Sequence, residues 1–323
     1  GIVSRRIIYL RLCWEIRYIK TTKMATGITD ILKLENDQIR IEIAPAIGGR
    51  ITSIYNKELN KEFLWHNKSF GLKQNKPGDD YDTNFWGGID ELLPNDIPEI
   101  IDGVSYPDHG ELWCMPLEHT VSDNSIAVYG LLPLSGLFYR REAVLSQTKP
   151  AIELTYKIIN QSGVQRHFLW KLHAALQIAK GDRLMSAAQK AKIVSQKVSR
   201  FVDTGEFLWP QIQGEDASVV PEKNNSMDFF YLYDSPTGQM SLLSEGGQHR
   251  FACTYNQEVF PYQWYFASYG QFRNHYTAIL EPASAMPVSV NEAATLGQCT
   301  VLEPGEEINT SVTIYAGTVV GER

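Results

Sequence analysis

Ile152-Glu153-Leu154-Thr155-Tyr156-Lys157-Ile158 alternates apolar and polar side chains without interruption. A period of two places one set of side chains against a core and the other in water, the pattern of a half-buried strand. The same alternation recurs upstream, where Ile39, Ile41 and Ile43 alternate with Arg40 and Glu42 until a Pro45-x-x-Gly48-Gly49 break. It recurs downstream, where Ile308, Val312 and Ile314 stand opposite Asn309, Ser311 and Thr313. Turn signals punctuate the chain at Asn160-Gln161-Ser162-Gly163, Ser235-Pro236-Thr237-Gly238 and Glu303-Pro304-Gly305. These spacings predict a mostly β protein of large antiparallel sheets packed as a sandwich. One segment resists assignment. Leu184 to Phe201 is rich in Ala, Gln and Lys, which favours a helix, while Ile193, Val194 and Val198 suit strands. The polar stretch from Gln213 to Asn225 reads as an exposed loop.

The 323 residues suffice for a large core, and 43% hydrophobic with 21% charged residues is ordinary for a globular chain. A net charge of -7 argues against general attraction to nucleic acid or an anionic membrane. No apolar run approaches the roughly 20 residues of a membrane-spanning helix. Cys13, Cys114, Cys253 and Cys299 are scattered without metal-binding spacing, and read as unpaired thiols of a reducing compartment, which places the protein in the cytoplasm. Residues 1–23 carry six basic residues against Glu15 alone. Met24 therefore reads as a natural start and 1–23 as an upstream extension, with 24–323 a single domain.

No phosphate loop, dinucleotide fingerprint or metal-binding helix is present, and neither cofactor nor metal is expected. Chemistry must come from side chains that the fold collects. Tyr106-Pro107-Asp108-His109-Gly110-Glu111-Leu112-Trp113 gathers two carboxylates, an imidazole and an indole around a turn, a composition that suits a ligand loop and a structural turn alike. His173 sits in the apolar run Phe168–Leu176, where a satisfied core histidine is the commoner explanation. Glu281 closes the apolar segment Tyr276–Leu280 ahead of Pro282, and a carboxylate there is costly unless paired or functional. An imidazole and a carboxylate together supply a general acid and a general base near neutral pH. Trp86, Trp113, Trp170, Trp209 and Trp264 offer faces that suit sugar C–H surfaces, although Trp is also a common core residue.

The order of these segments resembles the aldose 1-epimerase, or galactose mutarotase-like, superfamily over residues 30–318. Ala44-Pro45-Ala46-Ile47-Gly48-Gly49-Arg50-Ile51 resembles its first β-turn-β unit. Phe85-Trp86-Gly87-Gly88-Ile89-Asp90-Glu91-Leu92-Leu93-Pro94 with Pro107-Asp108-His109-Gly110 is similar to its Gly-Gly…Pro…His-Gly segment. His173, Glu281-Pro282 and Leu302-Glu303-Pro304-Gly305-Glu306 fall where that family places a second histidine, a Glu-Pro and a closing L-x-P-G-E. The resemblance implies a β super-sandwich that binds a small carbohydrate and interconverts its anomers, with oligomeric state open. It implies Glu281 as base, His173 as acid and His109 as a hydrogen-bond partner of the ring. Further sugar contacts are expected from Asp108, Glu91, Trp113, Asp228, Gln263 and Trp264. The family's galactose-type members carry an Arg after the first glycine-rich region, for which there is no secure counterpart. The absence of Arg and Lys from Phe85 to His109 makes an unphosphorylated sugar the expected ligand. A binding or sensing protein on this fold, or a sugar lyase or hydrolase, is the alternative.

Overall fold

A computed structural model describes the backbone of residues 17–20 and all of residues 30–319. The remainder of the stretch 1–23 lies outside the described residues, as does Cys13.

Two large antiparallel sheets of twelve and eight strands face each other. The eight-stranded sheet contains the strand that includes the Ile152–Ile158 alternation, Ala151–Asn160, between Leu137–Leu145 and Glu307–Thr318. Ile152, Leu154, Tyr156 and Ile158 are fully buried, as the period of two requires. The centre of the twelve-stranded sheet is built from six strands: β1 (Arg50–Asn56), β2 (Ile89–Leu92), β3 (Lys171–Gln177), β4 (Ser226–Tyr233), β5 (Tyr262–Tyr269) and β6 (Tyr276–Ala283). Their spatial order is β1-β2-β3-β6-β5-β4, so distant segments meet side by side at β2, β3 and β6.

The main core lies between the sheets, with Leu172, Ala174, Leu176 and Leu280 meeting Leu154, Tyr156, Val312 and Ile314. Alternate residues of the same strands point to the far face of the larger sheet, where a smaller cluster includes Leu92, Ala175 and Ile279. The short helix Tyr81–Asn84 and the segment 94–114, which carries a hairpin of Glu99–Ile101 with Val104–Tyr106 and a 3-10 turn at Leu112–Cys114, cover that face. Asp80 caps the helix, accepting from the Thr83 backbone N–H at 2.7 Å.

Leu184 to Phe201 resolves into the strands Arg183–Ser186 and Lys190–Ile193 and a 3-10 turn at Gln196–Val198. Pairing with neighbouring strands overrides the helical propensity of its Ala, Gln and Lys. The stretch 213–225 is less exposed than its polarity implies. Ala217, Ser218 and Val220 are buried, and Glu215–Asp216 pairs with Gln211–Ile212. Pro282 does not end its strand: β6 runs on to Ala283, and Gln263 of β5 pairs opposite Pro282. The cost falls on the other side, where the ladder to β3 has rungs at Lys171 and Ala174 but none at Leu172 or His173. Among the described residues no helix is long and apolar enough to cross a membrane.

Candidate active site

Two adjacent strands, each read with a period of two, build the floor of the site. On β3, Lys171, His173 and Ala175 face away from the sandwich core, and on β6 Thr277, Ile279 and Glu281 do the same. Asp90 of β2 pairs across from His173, and Trp264 of β5 pairs across from Glu281. The polar groups therefore form a row across neighbouring strands on one face.

A cleft of about 210 Å³ opens above this row. Glu281, His173 and His109 all line it, joined by Lys171, Asp96 and Asp82. Its apolar walls include Phe85, Phe229, Phe266 and Phe272. The volume is below the roughly 300–1,000 Å³ of sites for drug-sized ligands, and suits one compact ring. Flat aromatic walls with a few polar groups at the floor are the composition of a small-molecule site.

His173 is fixed from behind. Its Nδ1 lies 3.0 Å from Asp90 Oδ1 and 3.2 Å from the Tyr81 hydroxyl. Tyr81 donates to Asp90 Oδ2 at 2.7 Å, and Arg50 donates to the same oxygen at 3.0 Å. Nδ1 is thus occupied, which leaves Nε2 as the ring nitrogen available to the cleft. Burial would raise the Asp90 carboxyl, but the charges of Arg50 and His173 outweigh it and hold Asp90 below the usual carboxylate range. Burial first and Asp90 second push the Tyr81 phenol well above its ordinary value. Arg50 is itself held by the Gly87 carbonyl at 2.5 Å. Gly87 has φ of 99°, and a β-carbon there would stand 2.1 Å from the Trp65 carbonyl oxygen, so no side chain fits at this turn.

Glu281 is 1% exposed and contacts the Lys171 ammonium at 2.5 Å. The same ammonium lies 3.0 Å from Asp96 Oδ1 and 4.1 Å from the centre of the Trp264 indole. Burial works against the Lys171 charge, yet Asp96 and Glu281 outweigh it and raise its pKa. Asp96 is lowered in turn, burial being overcome by Lys171 and His109.

His109 enters from the loop over the floor. It stacks on Tyr81 with ring centres 3.9 Å apart and planes within 6°. Nδ1 lies 2.9 Å from Asp108, and Nε2 lies 4.0 Å from Asp96. Burial would lower the imidazole, but Asp108 and Asp96 together raise it. His109 and Gly110 both adopt the left-handed region, with φ of 60° and 72°. A β-carbon on Gly110 would stand 2.5 Å from the Leu93 carbonyl, which fixes glycine at that position.

The structure places the other expected contacts elsewhere. Asp108 reaches the cleft only through His109, and its own side chain is part-exposed. Trp113 is buried edge-on against Tyr81, with ring centres 5.0 Å apart. Trp264 lies beneath Lys171 and donates from its indole to the Ala285 carbonyl. Glu91, Asp228 and Gln263 point to the opposite face of the sheet, one residue out of step with Asp90, Phe229 and Trp264. Glu91 accepts from Tyr139, Arg141, Tyr156 and Trp170 between the sheets. Asp228 accepts from Arg200 at 2.8 Å, and burial pushes its carboxyl up to about 6 against the pull of that guanidinium. Gln263 donates to the Tyr255 hydroxyl and accepts from Ser186.

Sequence reasoning did not single out Lys171, Asp96 or Tyr81 as site residues. Lys171 had a signal: it precedes His173 by two on a strand, which sets both on one face. Among the described residues no cluster of three or more His, Cys, Asp or Glu is placed to hold a metal ion.

Residues 15–90 match the model of a family described as a domain of unknown function (DUF5107). The whole architecture is similar to several solved structures. A galactose mutarotase-like protein from Clostridium acetobutylicum superposes with a TM-score of 0.70 at 13% identity, covering 94% of this chain and 99% of its own. A protein from Synechocystis gives 0.68 at 16% identity, covering 93% of this chain and 100% of its own. A galactose mutarotase-like protein from Lactobacillus casei gives 0.62 at 17% identity, covering 88% and 99%. At these identities the likeness is one of fold, and the fold is the galactose mutarotase-like β sandwich implied by the sequence motifs.

Proposed function

We propose that the protein is an aldose 1-epimerase acting on an unphosphorylated sugar. The observation that carries this reading is the convergence of Glu281 and His173, from adjacent strands, on the floor of one ring-sized cleft. Glu281 takes the proton of the anomeric hydroxyl as the bond from C1 to the ring oxygen breaks. The bonding pair stays on the ring oxygen, which takes a proton from His173 Nε2. Rotation about C1–C2 then presents the other face of the aldehyde. Closure returns the first proton from Glu281 to the anomeric oxygen and the second to His173. His109, held by stacking on Tyr81, hydrogen-bonds the ring oxygen or an adjacent group. Each positioned acid or base contributes on the order of 10²–10⁴-fold, and orientation of the hemiacetal adds to this.

Charge favours a neutral sugar. Lys171 is the lining residue of this cleft that carries a fixed positive charge, and its ammonium is already taken by two carboxylates. The free thiols Cys114, Cys253 and Cys299 suit a reducing compartment, and the cytoplasm is the location proposed.

The pairing of Glu281 with Lys171 also favours a second reading, a carbohydrate-binding or sensing protein, since a paired carboxylate is a good acceptor for sugar hydroxyls. A hydrolase would need two carboxylates flanking the scissile bond. Asp96 and Glu281 share one ammonium instead, which occupies the space between them. Exchange NMR on equilibrated neutral and phosphorylated hexoses and pentoses tests the proposal. Enzyme-dependent exchange between anomers of a neutral sugar supports it. Saturable binding with no exchange selects the binding protein.

A further inference from the structure

Lys171 is 2% exposed by side chain and sits at the centre of the polar floor. An ammonium offers three N–H donors and no acceptor. Two directions are taken by Glu281 at 2.5 Å and Asp96 at 3.0 Å, and the indole of Trp264 covers a third side at 4.1 Å. The ammonium is thus held between two carboxylates at the floor of the cleft that it lines. The two contacts also bound a second distance: the carboxylate oxygens of Glu281 and Asp96 lie no more than 5.5 Å apart, the sum of 2.5 Å and 3.0 Å. Two carboxylates at that separation in a buried site share a proton unless a cation stands between them.

We propose that Lys171 is a positioning residue that clamps Glu281 and Asp96 together as two ionised carboxylates, so that Glu281 presents an unprotonated oxygen to the cleft. Asp96 is the counterweight in this arrangement. By taking part of the ammonium's charge it keeps Lys171 from binding Glu281 too tightly to act. The clamp deepens the reading of Glu281 as base and rests on it. The groups that face Glu281 are few. Lys171 and His173 come from β3, Asp96 and His109 from the loop, Tyr81 and Asp82 from the short helix and Tyr231 from β4. Both phenols are held neutral well above the working range by burial, which leaves Lys171, Asp96, Asp82 and the two histidines to set the charge at the base.

The clamp predicts opposite shifts for two variants. Lys171→Met leaves two buried like charges, so one carboxyl of the pair titrates higher by about one unit or more. Asp96→Asn gives Lys171 to Glu281 alone, and the Glu281 carboxyl titrates lower. Lys171→Arg keeps the cation and restores the wild-type position in part. The readouts are the ¹³C titration of labelled Glu and Asp carboxyls, and the acid limb of kcat/KM for mutarotation, which moves up in Lys171→Met and down in Asp96→Asn. A purely structural lysine would lower thermal stability without moving either. Should Lys171→Met fail to fold, the near-isosteric Asp96→Asn carries the test. Carboxyl titrations unmoved in folded Lys171→Met, or a Glu281 titration unmoved or raised in Asp96→Asn, overturn the clamp. A wild type without mutarotation overturns the epimerase reading instead, and the carboxyl titration still decides the role of Lys171.

Discussion

At the scale of single residues, the site separates groups that face the cleft from groups that hold them. His173 depends on Asp90, which depends on Arg50, which depends on the Gly87 turn, each link a contact of 3.0 Å or less. On the proposed mechanism His173→Ala removes the acid, and is expected to cut mutarotation by about 10²–10⁴-fold while leaving the circular dichroism spectrum unchanged. Full activity in that variant would remove His173 from the mechanism. Arg50→Met acts one step back. Asp90 has a folded pKa depressed below its unfolded value of about 3.9. Its pairing therefore contributes stability that is present above about pH 4 and lost as pH falls through the folded value. The stability gap between wild type and Arg50→Met should be widest near neutral pH and narrow on acidification, as measured by urea unfolding. His109 has the opposite sign. Its pKa is raised, so its stabilisation is present below about pH 6.5 and fades as pH rises through the folded value. His109→Asn, which tolerates the left-handed backbone, should cost more stability in mild acid than in alkali.

At the scale of the strand, parity decides function. Asp90 and Glu91 are neighbours in β2, yet one supports the cleft and the other is locked between the sheets with Arg141 at 3.0 Å. Glu91→Gln leaves Arg141 buried without its counter-charge and should cost about 3–5 kcal/mol in thermal or urea unfolding. Sugar affinity in the surviving folded protein should be unchanged, and a large loss of affinity would contradict the assignment of Glu91 to the interior. The same parity explains what could be read from the sequence. Strands such as Ala151–Asn160 declare themselves, because one face is apolar and the other wet. β2, β3 and β6 are buried on both faces, so no alternation marks which residues point where. Glu281 and His173 stood out as polar residues in apolar runs. Glu91, Asp228 and Gln263 are equally polar and equally buried, and only the strand pairing shows that they face the other way. Asp96 has no signal at all within its loop, since Lys171 reaches it only once β3 is placed.

At the scale of the whole molecule, the larger sheet serves as a platform with a core on one side and a cleft on the other. Its strand order brings segments near residues 90, 173 and 281 together, which no local pattern could reveal. The core between the sheets backs that platform, while the chain above it supplies His109, Asp96, Phe85 and Phe272, and β4 and β5 supply Phe229 and Phe266. Polarimetry on freshly dissolved α-anomers of neutral sugars, with wild-type protein and Glu281→Gln side by side, tests the role of Glu281 as base. Wild type is expected to speed the approach to anomeric equilibrium for at least one sugar, and Glu281→Gln to bind that sugar but lose most of the acceleration. Equal acceleration by both proteins, or none by the wild type for a sugar it binds, would contradict that role.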